Sequence, residues 1–159
     1  MNDKIEKTTT LKAPLAKVWR AIGDSAAFGT WFGMTIDGPF VEGRTAMGAI
    51  AKTKVDDEVA KHQEPYVGMP CELRIERIVP LKLFAFRWHP GADPDLGPNA
   101  PTTLVTFEIE EVPEGTRLTI TESGFEALPI ERRAKAFTEN EGGWAAQLSL
   151  VAKYLAREV

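Results

Sequence analysis

The chain has 159 residues, a length that gives a prior of one domain and lets a folded chain bury about 70% of the surface exposed when unfolded. Its hydrophobic fraction of 43% and charged fraction of 26% are those of ordinary globular chains, which sets aside disorder, collagen and disulfide-scaffold readings. With 19 Lys+Arg against 23 Asp+Glu the net charge is −4 and no basic cluster exceeds Arg132-Arg133, so a nucleic acid partner, which needs a basic face, is not expected.

The charged start, Met1 to Lys7, is followed by no apolar h-region, and no apolar run nears the roughly 20 residues of a membrane helix. Neither a signal peptide nor a membrane span is expected. The single Cys71 excludes an internal disulfide and reads as a small buried thiol, and the expected location is the cytoplasm. Lys4 to Leu11 alternates and carries three threonines, which predicts a strand. Pro14 then suits a first helical position, and Leu15, Val18, Trp19 and Ile22 recur at helical spacing up to Gly23. Asp24 or Ser25 can cap a second short helix that leads into Trp31-Phe32.

From Gly33 to Gly124 the period is mostly two. Met34 to Ile36 and Arg44 to Ile50 are short strand candidates across the turn-forming Asp37-Gly38-Pro39. Lys54 to Met69, with Asp56, Asp57 and Glu58 in a row, reads as a loop or weak strand. Stronger runs follow at Cys71 to Val79, Leu83 to His89, Thr103 to Val112 and Thr116 to Ser123, with tight links at Pro80-Leu81-Lys82 and Pro113-Glu114-Gly115. Pro90 to Pro101 is rich in proline and reads as a loop.

At 100 degrees per residue, Ile130, Phe137, Trp144, Leu148, Val151 and Leu155 fall within about 40 degrees of one line. The stripe keeps its phase across Gly142-Gly143, a pair that costs roughly 2 kcal/mol against alanine, so one helix of about 27 residues is predicted rather than two. The glycines then read as points where sheet or ligand nears the backbone. Hairpin connections imply an antiparallel sheet of about six or seven strands, its apolar face covered by this helix: an α+β fold with a curved sheet gripping a long C-terminal helix.

The N-terminal strand, Ala13-Pro14 to Val18-Trp19, Trp31-Phe32, Phe86-Arg87-Trp88, Thr116 to Thr119 with Ser123-Gly124-Phe125, and Gly143-Trp144 to Leu148 together resemble the helix-grip, START-like (SRPBCC) superfamily. Within it the chain is most similar to the group named for the C-terminal domain of activators of the heat-shock-protein-90 ATPase. The resemblance spans nearly the whole chain and implies a cavity between the sheet and the last helix. The superfamily includes lipid carriers, plant hormone binders and polyketide cyclases. Two departures stand out: Lys54 to Gly68 is long enough to form a flap at the cavity mouth, and 159 residues leave no room for the extra N-terminal domain of the eukaryotic chaperone activators.

Alternation alone puts Phe84, Phe86 and Trp88 on one strand face, Val105, Phe107 and Ile109 on another, and Leu118 and Ile120 with Glu122 on a third. These should meet Trp144, Leu148 and Val151. For any single residue plain core is the simpler reading, but aromatics with a few placed polar groups also make a small-molecule site. Trp19 is assigned to packing, and the candidate ligand-binding residues are Trp31, Phe84, Phe86, Trp88, Phe107, Ile120, Glu122, Glu141, Trp144, Gln147 and Leu148. Glu141 lies about 60 degrees from the stripe centre and Gln147 on its other edge. Glu122 is the one candidate for acid-base catalysis, against the plainer reading of a strand-end glutamate that reaches solvent. His89 points away from Trp88 and His62 falls in the flap.

No zinc spacing, phosphate loop, dinucleotide fingerprint or nucleophile elbow is present, and Asp93 to Asn99 lacks the glycine and closing glutamate of a calcium loop. No metal or cofactor is expected. The expectation is a single-domain binder of a small hydrophobic or lipid-like ligand, leaning away from an enzyme. The alternatives are a module for a chaperone or other protein partner and a cyclase or hydratase using Glu122.

Overall fold

A computed structural model describes residues 4–89 and 100–157. The proline-rich stretch read as a loop from Pro90 lies outside the described residues except for Ala100 and Pro101, and the Asp93 to Asn99 turn lies wholly outside them.

Strand β1 (Lys4–Leu11) buries Ile5 and Leu11 and exposes much of the rest. Helix α1 (Leu15–Gly23) starts at Pro14 and buries Val18, Ala21 and Ile22. At its end Asp24 accepts from the Ala27 N–H at 2.9 Å and caps α2 (Ser25–Phe32). Six further strands follow: β2 (Met34–Ile36), β3 (Thr45–Ile50), β4 (Pro70–Val79), β5 (Leu83–Trp88), β6 (Thr103–Val112) and β7 (Gly115–Ser123). Between β3 and β4 lie α3 (Asp57–Gln63) and a 3-10 turn at Glu64–Tyr66; a second such turn, Phe125–Ala127, precedes α4 (Ile130–Arg157).

The seven strands form one antiparallel sheet in the order β1-β7-β6-β5-β4-β3-β2. Register stacks the apolar positions: Phe86 faces Val105, Phe107 faces Ile120, and Val105 faces Glu122 across β5, β6 and β7. A bulge between Ile75 and Arg77 breaks the ladder of β4, and bulges of this kind bend and twist a sheet. The β6–β7 turn needs Gly115, whose φ is +141° and whose hypothetical Cβ would stand 2.2 Å from the Leu11 carbonyl oxygen. Helices α1, α2 and α4 close over one face of the sheet. Each large apolar side chain they cover contributes roughly 1.5–3 kcal/mol.

Three expectations change. Within Lys54 to Met69, read as a loop or weak strand, Asp57–Gln63 is a helix: Asp56 is the N-cap, accepting from the Val59 N–H at 3.0 Å, with Asp57 and Glu58 in the first turn and Lys61 and His62 in the last. That charge order suits the helix macrodipole. The segment is also tied down, because Gln63 Oε1 accepts from the Thr53 N–H at 2.7 Å, Gln63 Nε2 donates to the Phe32 carbonyl at 3.1 Å, and Lys153 pairs with Asp56. The stripe of α4 does not include Ile130, which is 77% exposed; full burial on the helix begins at Ala136. Finally, α4 is one 28-residue helix as expected, but nothing approaches its glycines: a Cβ at Gly142 or Gly143 would meet no atom within 4 Å.

Candidate functional site

The candidate residues separate into an apolar floor and a polar corner. On the floor, Trp31, Phe84, Phe86, Phe107 and Ile120 are all 0% exposed, so no water-sized gap touches them. Phe28 of α2 stands at their centre, 6.3 Å from Phe84, 6.4 Å from Phe86 and 6.1 Å from Phe107 by ring centroid. Trp31 donates its indole N–H to the Ala21 carbonyl at 2.9 Å, which binds α2 to α1. The space between sheet and helices is filled by these side chains.

The polar corner lies where β5, β6, β7 and α4 meet. Glu122 ends the inward alternation of Leu118 and Ile120, and it is 0% exposed rather than reaching solvent. Its Oε1 accepts from Trp144 Nε1 at 2.8 Å and Asn140 Nδ2 at 2.9 Å. Its Oε2 accepts from Trp88 Nε1 at 2.8 Å, Thr103 Oγ1 at 2.5 Å and Asn140 Nδ2 at 3.1 Å. All four partners among the described residues are neutral. Indole and amide N–H groups can only donate, so both oxygens serve as acceptors. A proton transfer at Glu122 therefore requires a reacting group first to displace one of these donors.

The corner is walled by aromatics. Trp88 and Trp144 have ring centroids 5.6 Å apart at 30°, and Phe32 lies 6.0 Å from each. Trp144, with Thr103, is buried, whereas Trp88 and Asn140 keep some solvent contact. One turn beyond Trp144, Gln147 Nε2 donates to the Phe32 carbonyl at 3.3 Å, while its buried Oε1 has no partner. Leu148 is half-buried, and Glu141 is exposed. Asn140 and Thr103, absent from the sequence candidates, were open to discovery: Thr103 precedes Val105 and Phe107 on the same alternation, and Asn140 lies four residues before Trp144.

Other reactive groups stand apart. Burial pushes the Cys71 thiol up to about 11, so it is protonated at neutral pH and a poor nucleophile. His89 is neither free nor at the corner: Nδ1 lies 3.1 Å from the Pro101 carbonyl and Nε2 3.5 Å from Glu72. Among the described residues no three His, Cys, Asp or Glu side chains gather as a metal site, and no helix is long and apolar enough to cross a membrane.

Residues 12–156 match the family model for Activator of Hsp90 ATPase homolog 1-like protein. The chain belongs to this AHSA1 family. The fold is shared with solved structures. Protein MLL2253 from Mesorhizobium loti is 21% identical with a TM-score of 0.70, and the match covers 97% of each chain. The Aha1 dimer from Colwellia psychrerythraea is 17% identical with a TM-score of 0.66, covering 96% of this chain and 95% of that one. DynU16, a protein in the dynemicin biosynthetic locus, is 21% identical with a TM-score of 0.69; the match covers 98% of this chain but only 48% of DynU16. No curated protein matches the sequence. The AHSA1 fold is consistent with ligand binding or a cyclase-like role.

Proposed function

We propose that this AHSA1-family chain binds a small hydrophobic or amphipathic molecule between the sheet and α4. Glu122 carries the reading. Withdrawing a carboxylate from water without a cation costs several kcal/mol, and an apolar side chain of similar size would serve a core better. Departures of this kind from good core design concentrate at functional sites. The ligand would rest on the floor formed by Trp31, Phe84, Phe86, Phe107 and Ile120, beside Trp88, Glu122, Trp144, Gln147 and Leu148, with Glu141 at the rim. The occurrence of DynU16 in a biosynthetic locus supports a small-molecule role for the shared fold. The single cysteine fits a cytoplasmic setting.

Because the floor is filled, admission needs α4 to shift. Gly142-Gly143 is its weak point, each glycine costing about 1 kcal/mol against alanine in a helix. A panel of lipids and hydrophobic metabolites, followed by thermal shift and by native mass spectrometry, tests the reading. A raised melting point with the matching added mass supports it. A melting point that no member moves, with only the bare mass, overturns it.

A second reading, a protein-contact module, is favoured by the apolar tip at Pro65, where Tyr66 is 53% and Val67 51% exposed. It fits the chaperone-activator relatives. Capture of a heat-shock-protein-90 chaperone that is lost in Tyr66→Ser would support it, and equal capture by both forms would refute contact through this tip.

A further inference from the structure

We infer that the molecule held at the helix-sheet seam carries a protonated amine and is not a carboxylate; this rests on the ligand-binding reading above. Three observations point the same way. The first is charge: among the described residues every hydrogen-bond partner of the fully buried Glu122 is neutral, and none of them brings a cation to its negative charge. Opposite charge brought near it gains, and like charge loses, far more than in water. The second is hydrogen-bonding polarity. Gln147 Oε1, one turn along α4 from Trp144, is buried with no hydrogen-bond partner, so the seam offers a second acceptor in need of a donor.

The third is the wall. Trp88, Trp144 and Phe32 have ring centroids within 6.0 Å of one another; the two indoles turn their N–H edges to Glu122, and an ammonium that reaches a ring face beside them is attracted by it. The side of approach is marked by the two donors that keep solvent contact, Trp88 and Asn140. An incoming ammonium takes the place of the Asn140 amide, which sits just ahead of Gly142-Gly143. An anionic lipid would set its own carboxylate against Glu122.

The test compares three probes with one chain length, n-decylamine, n-decanol and decanoate, read by the tryptophan fluorescence of the intact chain. Salt at about 0.5 M screens the general pull of a net negative protein on cations. The amine should bind at least about tenfold more tightly than decanoate, with the alcohol between them, since a contact at a desolvated carboxylate survives such screening. In Glu122→Gln, checked for folding by circular dichroism, the preference of amine over alcohol should fall to within about twofold once the charge is gone. If that variant does not fold, the wild-type ranking decides alone. Decanoate binding as tightly as decylamine overturns the amine assignment and leaves ligand binding standing; no response to any probe overturns both.

Discussion

The floor and the corner of the concave face are both withdrawn from water, yet they are held in different ways. Around Phe28, Phe84, Phe86 and Phe107 the rings pack at tilted or edge angles with no polar atom to satisfy, so shape and volume are what matter there. At Glu122 the same depth of burial depends on four directed donors, from β5, β6 and both sides of the glycine pair in α4. The floor can tolerate a change of shape better than a change of size. The corner should tolerate neither a lost charge nor a misplaced N–H.

The largest expected effect is Phe107→Ala. Its ring is 0% exposed, and its loss should cost about 3–5 kcal/mol in denaturant unfolding, with the cavity term included. Next comes the contrast itself. Glu122→Gln is nearly isosteric but turns an amide N–H toward indole N–H groups, and should cost about 2 kcal/mol. Phe107→Leu keeps the floor apolar and should cost about 1 kcal/mol. A Gln variant as stable as wild type would break the comparison, because it would show that directed bonds do not hold the corner.

Smaller effects sharpen it. Gly142→Ala and Gly143→Ala meet open space and should each stabilise the chain by about 1 kcal/mol while slowing ligand uptake, read by equilibrium melts and stopped-flow fluorescence. Faster uptake in the alanine variants would remove the glycine pair as the yielding point. The smallest effect lies outside both regions, at Asp56. The hydrogen bond from Lys153, then that from the Val59 N–H, holds its carboxyl below the ordinary value. A depressed folded-state value means that its stabilisation is present above the usual carboxylate range and is lost as pH falls through the folded value. Asp56→Asn should therefore flatten the acid limb of stability against pH without touching the floor or the corner.

The strands were legible because each alternates between clear turns, and α4 because its stripe keeps phase through two glycines. Helix α3 was not, since it buries no residue and so leaves no apolar stripe; its cap and first turn look like a charged loop. Ile130 matched the stripe by angle but is exposed, a matter of what packs against the first turn that periodicity does not encode. At the site, alternation identified the direction of Glu122, and its tryptophan partners were among the candidates. Whether the polar end of such a strand is sealed or open depends on Asn140 and Thr103, polar residues with no apolar signal of their own, legible only through their spacing from Val105 and Trp144.

The pairing of β1 with β7 has a consequence for the order of assembly. Lys4 lies opposite Ser123 and Leu11 opposite Thr116, and Thr116 Oγ1 donates to the Ala13 carbonyl at 2.8 Å. Strand β1, made before the other six strands of the sheet, thus waits for the last of them before its backbone is matched. Contacts so distant in sequence slow folding, since a long loop must close before they form. Until then β1 is a threonine-rich ribbon without its sheet partner, and stalled chains that end before residue 116 lack the strand that pairs with it.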